Sequence, residues 1–309
     1  MTTATAARDP DVTQLSGSLG AEVRGIPLAD VGPAEADVIR GLLLEHHVLF
    51  FPEQHLSQDA HIAFGRHFGK LEGHPNVTGS ADVTEIFELR ASRGAIADEW
   101  HSDLTCQDQP SVLSILNMVK CPPVGGDTLW ANMHKAYDEL SPPMQEFCEG
   151  LTALHDAQPH GKPDTMSVHP VVRVHPETGR KSLFVNEHFT RRIVELSHDE
   201  SEVVLRYLTR WASNPRFTMR YHWSEGCIAM WDNRCTQHFV LNDFDEERII
   251  QRVTVMGDEP KPASAPRWQP FVTSGAPGAH GRHDRQLKAF LDLKSEVGRQ
   301  SEVERKAQE

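Results

Sequence analysis

The chain has 309 residues, 39% of them hydrophobic and 24% charged, values of a globular protein long enough to bury a substantial core. Its formal net charge of -13 argues against nucleic acid or an anionic membrane as partner, although a few arginines inside an acidic protein can still bind a small anion. The first 25 residues carry no apolar run of the secretory type, and nothing approaches the roughly 18–20 apolar residues that cross a bilayer. The expected location is the cytoplasm. Five cysteines, Cys106, Cys121, Cys148, Cys227 and Cys235, form an odd set without a CxxC pair, so reduced thiols are expected rather than a disulfide framework or zinc knuckle.

Residues 1–14 are polar and expected to be disordered, 15–258 to form one domain, and 259–309 to be a Pro-rich linker and charged tail. A helical pattern over 34–47 runs straight into the strand-like Val48–Phe51. A second helix starts near Ser57, a plausible N-cap, and ends at Gly69. Strand patterns follow in VTEIFEL, SVLSILNMV and DTLWA. Ser141-Pro142 then opens a third helix. HPVVRVH and SLFVN read as strands joined by the tight turn PETGR, and 199–212 reads as a fourth helix. FTMRYHW, CIAMW and RIIQRVTVM complete the strand patterns. Many short strands with a few helices predict a mainly β sandwich or jelly roll with flanking helices.

A mononuclear iron(II) oxygenase needs two imidazoles and a carboxylate on one face of the metal, with the other face open. His-x-Asp/Glu suits this, because residues i and i+2 of an extended strand point the same way. The pattern alone is weak: chance gives 18 × 44/309, or about 2.6, and three occur. His175-Pro-Glu177 sits in turn chemistry, and His198-Asp-Glu200 begins a helix, where acids suit the dipole. His101-Ser-Asp103 has neither explanation. Far downstream, Arg248 and Arg252 lie four apart on a strand, facing one way with Ile250 and Thr254. Burying two guanidinium groups is costly unless anions meet them, either ligands or Asp243, Asp245, Glu246 and Glu247.

WHSDLT, GGDTLW, HPVVRVHPETGRKSLFVNE and WDNRCTQH together resemble the taurine dioxygenase family, over roughly residues 12–258 and in the family's order. The resemblance implies a double-stranded β-helix, with iron(II) held by His101, Asp103 and His238. It further implies that 2-oxoglutarate and O2 are co-substrates, the far carboxylate of the keto acid meeting Arg248 and Thr128. In related halogenases a small residue replaces the carboxylate ligand. With Asp103 present, hydroxylation is expected instead.

By the same resemblance the substrate's anionic head would meet His74 and Arg252, with Leu104 and Phe189 near it. The positions that surround an amine in taurine enzymes read Val77, Ile96 and Ala97, followed by Leu104, and would solvate an ammonium group poorly. The expected substrate is therefore a small anionic organic molecule, a sulfonate or sulfate ester with an apolar tail. A same-family oxygenase for a carboxylate-bearing substrate and a non-catalytic anion-binding jelly roll stand as alternatives. A homo-oligomer, dimer or tetramer, is expected.

Overall fold

A computed structural model describes residues 10–72, 85–92, 97–272 and 284–296. The first elements are β1 (Asp11–Gln14), β2 (Ala21–Arg24), α1 (Pro33–His46), β3 (Val48–Phe51), α2 (Gln58–Arg66) and β4 (Phe87–Ala91). Next come β5 (Leu113–Lys120), β6 (Thr128–Asn132), α3 (Met133–Asp138), α4 (Pro142–Glu149), β7 (Thr152–Ala157) and β8 (Lys162–Pro170). Then follow β9 (Val172–Val174), β10 (Lys181–Leu183), β11 (Thr190–Ile193) and α5 (His198–Ala212). The last strands are β12 (Thr218–Tyr221), β13 (Ile228–Asp232), β14 (Thr236–Val240), β15 (Arg248–Val255) and β16 (Lys261–Pro262). A final helix, α6, spans 284–296.

Seven strands form the main sheet in the order β1-β2-β3-β13-β5-β15-β4, and three-stranded sheets β12-β6-β14, β11-β7-β8 and β10-β9-β16 complete the architecture. Non-consecutive neighbours, nearly all antiparallel, are the signature of a jelly roll, and the expected double-stranded β-helix is present. Alternation along the strands builds two cores from one sheet. Leu49, Phe51, Leu113, Ile115, Ile228, Met230, Val253 and Val255 face outward to meet Ile39 and Leu43 of α1 and Ile62 and Phe64 of α2. Val48, Phe50, Leu116, Met118, Ala229, Trp231 and Ile250 face inward, against Trp130 of β6. The interior between the main sheet and β12-β6-β14 holds the candidate site.

Local signals behave as expected at several helix ends. The Ser57 hydroxyl accepts from the Ala60 N–H at the start of α2, which stops at Arg66, short of Gly69. Ser197 and Glu200 form a reciprocal capping box on α5. Two segment boundaries are corrected. Asp11–Gln14 pairs with β2, because ladder hydrogen bonds need no apolar side chains; the earlier residues 1–9 lie outside the described set. Past residue 258, β16 pairs with β9, and Leu287 of α6 is fully buried with Leu154 and Val194. The five cysteines are free thiols.

Candidate active site

His101 and His238 face each other across an isolated antiparallel bridge, with N···O distances of 3.1 and 2.8 Å in the two directions. The bridge ties the loop before β5 to β14. It brings the ligand atoms of His101, Asp103 and His238 within 4.8 Å of one another, all three residues being buried. The His101 Nδ1–H donates to the Glu99 carbonyl at 2.7 Å, which leaves the Nε2 lone pair for a metal. Burial pushes the His101 imidazole down to about 4 and His238 well below its usual value. Both are neutral at physiological pH, the form that ligates.

Asp103 is held from every side. Ser114 Oγ donates to its Oδ2 at 2.6 Å, Arg252 Nη1 donates to its Oδ1 at 2.8 Å, and its own N–H donates to Asn233 Oδ1 at 3.3 Å. Burial by itself would raise this carboxyl, but Arg252, His238, His101 and the Ser114 hydroxyl outweigh it and keep it well below the carboxylate range. Leu104, directly after it, adopts a left-handed φ of 57°. For a branched side chain this costs on the order of 1–3 kcal/mol, and it is held only where the surroundings dictate it.

Arg248 forms a second pole. It is 4% exposed, and its Nε and Nη2 are buried without a partner. None of Asp243, Asp245, Glu246 or Glu247 pairs with it among the described residues. Desolvation brings the guanidinium down to about 10, so it stays charged at neutral pH. An uncompensated buried charge costs several kcal/mol, and an anionic ligand removes that cost. Thr128 lines the same cavity, its hydroxyl accepting from Trp223 Nε1 at 3.0 Å. In the preceding pair of glycines, Gly125 has φ 79° and any Cβ there would collide with the Asp243 carbonyl. Glycine thus permits the loop before β15 to close on β6.

The cavity measures about 590 Å³, and its walls include Phe87, Leu89, Leu104, Leu116, Phe189 and Ile250 as well as the triad, Thr128, Arg248 and Arg252. The structure thus assembles every sequence-predicted site residue except His74, which with Val77 and Ile96 lies outside the described residues. Arg252 is engaged with Asp103 rather than with the acidic loop, while its Nε is buried and unpaired. Sequence reasoning missed Glu72, Gln107, His160, Lys162 and His188 on the wall; isolated polar residues in loops and short strands carry no periodic signal. It also missed Ser114 and Asn233. Asn233 accepts from Trp231 Nε1 and donates to Ser111 and Ser114; its place inside WDNRCTQH was the available clue.

His175 lies in the turn that its sequence predicts, where the Gly179 N–H donates to the His175 carbonyl at 2.9 Å. Its ring nevertheless does more. His175 Nε2 donates to Asp232 Oδ2 at 2.9 Å, and Arg234 grips both oxygens of Asp232 at 2.9 and 2.6 Å. This buried network braces the β13–β14 turn that carries Asn233 and leads to His238.

The family model described as taurine catabolism dioxygenase TauD, TfdA family matches residues 11–254. An alkylsulfatase of Acinetobacter baylyi is 36% identical over 292 residues, covering 87% of this chain and 88% of that protein. An alpha-ketoglutarate-dependent sulfate ester dioxygenase of Pseudomonas putida is 35% identical over 283 residues, covering 84% and 94%. A crystal structure of a taurine dioxygenase from Burkholderia xenovorans superposes with a TM-score of 0.76 at 36% identity, covering 82% of this chain and 93% of that one. Jelly roll, triad, orphan arginine and sequence likeness agree, and the chain belongs to the TauD/TfdA family of 2-oxoglutarate-dependent dioxygenases.

Proposed function

We propose that this dioxygenase binds iron(II) through His101, Asp103 and His238 and hydroxylates a sulfate ester or sulfonate with an apolar tail. The observation that carries the reading is one cavity that joins the donor triad, an unpaired buried arginine and apolar walls. Two neutral imidazoles with one carboxylate suit iron(II). When bound, the ion supplies oxygen activation coupled to decarboxylation of 2-oxoglutarate to succinate and CO2.

The protein's part is binding and alignment. Arg248 forks the far carboxylate of the keto acid and the Thr128 hydroxyl donates to it. Ser114 and Asn233 hold Asp103 at a fixed angle. Arg252 keeps Nη1 on Asp103 and offers its free Nε side to the substrate's anionic head. Leu104, Phe189 and Ile250 exclude water around the carbon that reacts. Hydroxylation at the carbon bearing the sulfur group, or attached to the ester oxygen, leaves a product that collapses to an aldehyde with sulfite or sulfate. His74 as a second head-group contact, homo-oligomerisation and a cytoplasmic location belong to the same reading.

The test is succinate release by purified protein with iron(II) and 2-oxoglutarate across alkyl sulfates, alkanesulfonates, taurine and an aryloxyacetate. Alkyl sulfates or alkanesulfonates should be turned over best. Faster turnover of taurine or the carboxylate overturns the substrate assignment. Asp103→Ala should abolish succinate release with an unchanged circular dichroism spectrum, and retained activity would sink the ligand assignment.

A further inference from the structure

Behind the turn that carries Asn233 lies a second group of buried metal-competent side chains. The ligand atoms of His47, His134 and Cys235 lie within 4.8 Å of one another, the same bound as for the His101–Asp103–His238 triad. They come from three elements knit by backbone bonds: the Asp232 N–H donates to the His47 carbonyl at 3.0 Å, and the Met133 N–H to the Cys235 carbonyl at 2.9 Å. His175 and Asp232 adjoin Cys235 but are already used. His175 Nδ1 accepts from the N–H groups of Glu177 and Thr178 while Nε2 donates to Asp232, and Arg234 occupies both Asp232 oxygens.

The other three are poised differently. His134 Nδ1–H donates to the Lys181 carbonyl at 2.7 Å, so its Nε2 keeps an unshared lone pair, the arrangement by which proteins fix a ligating histidine. His47 is 4% exposed. Among the described residues its ring makes an edge contact with His134 but no hydrogen bond. Its backbone holds a left-handed φ of 66° at the C-cap of α1, where glycine is the usual residue; the imidazole is kept there against that preference. Cys235 Sγ makes only a 3.8 Å contact with the Asp232 carbonyl. Burial lowers His47 to about 3 and His134 to about 4, so both are neutral donors.

We infer that His47, His134 and Cys235 form a second, structural metal site, selective for a soft d10 cation, zinc(II) or copper(I). Two imidazoles and a thiolate are the donors those ions prefer, whereas iron(II) in this family's site meets a carboxylate. Binding forms the sulfur–metal bond and releases the thiol proton to solvent; no electron transfer is involved. The bound ion would pin α1, α3 and the β13–β14 turn together, three residues ahead of His238.

Cobalt(II) added to the chelator-stripped full-length protein tests this directly. A sulfur-to-cobalt charge-transfer band in the near ultraviolet reports thiolate ligation, and the His101–Asp103–His238 triad has no sulfur to produce one. The band should saturate within two equivalents, the sulfur-free triad taking the other without adding to it, and be displaced by zinc(II) or copper(I), the tighter competitor identifying the ion. Cys235→Ser should remove the band, and His134→Ala should weaken cobalt binding by more than the roughly 10–100-fold typical of outer-sphere changes. Absence of the band in the folded unmutated protein overturns the site whatever the variants do, as does a band that survives Cys235→Ser.

Discussion

Arg248 and Arg252 share one face of β15 yet stand in different states. Arg252 spends one nitrogen on Asp103, whereas Arg248 has two buried nitrogens without a partner among the described residues. Replacing Arg248 by methionine removes an uncompensated charge and keeps most of the side-chain volume. The KM for 2-oxoglutarate should rise about 30- to 1,000-fold, corresponding to the roughly 2–4 kcal/mol of a lost buried charge contact, while the ligand-free protein melts no lower than the parent. Calorimetric melting separates the two effects, and a clear loss of ligand-free stability would mean the charge is already satisfied within the protein. The pair was legible because a two-residue period is covalent geometry. Ser114, which orients Asp103, was not, since a serine in a hydrophobic strand looks the same whether or not a carboxylate lies opposite.

At the level of single elements, caps and alternation carried most of the information. Ser197→Ala removes the acceptor of the Glu200 N–H and breaks the capping box of α5. It should cost about 1 kcal/mol and lower the melting temperature by about 2–4 °C, with activity retained. A loss beyond about 3 kcal/mol in urea titration would show that the serine does more than cap. The same box explains why His198-Asp-Glu200 is no metal pair: its acids serve a helix start. Among the strands that escaped sequence reading, β7, β11 and β14 contain His155 and Asp156, Arg191 and Arg192, and Gln237 and His238. Buried polar residues destroy the apolar alternation that marks a strand, and β14 is polar because it carries a site residue.

At the scale of the whole molecule, several of the described histidines are buried and neutral. Burial lowers His47 to about 3 and His61, His134 and His169 to about 4, whereas in the unfolded chain each titrates near 6.5. Between pH 6.5 and 4 the unfolded state therefore binds more protons, and stability falls as pH falls. Each such histidine contributes a slope on the order of 1.4 kcal/mol per pH unit in that window, and none above it. Urea denaturation of metal-free protein should give a midpoint that is flat between about pH 7 and 8, below the range where the unfolded chain's thiols ionise, and that drops steeply below 6.5. A flat midpoint down to pH 5 would contradict the neutral burial of these rings.

The mainly β class with flanking helices was written in the order of residues, because strand alternation and helix caps are local consequences of covalent geometry, whereas family membership and the ligand set His101, Asp103 and His238 came from the resemblance carried by WHSDLT, GGDTLW and WDNRCTQH. Tertiary structure alone decided that Arg248 has no acidic partner among the described residues, that His175 anchors Asp232 instead of merely turning the chain, and that Lys261–Pro262 pairs with β9 while Leu287 packs onto Leu154. It also decided that His47, His134 and Cys235 meet. Contacts between residues scores of positions apart depend on how sheets and helices pack, and no local pattern encodes which distant side chain will arrive opposite.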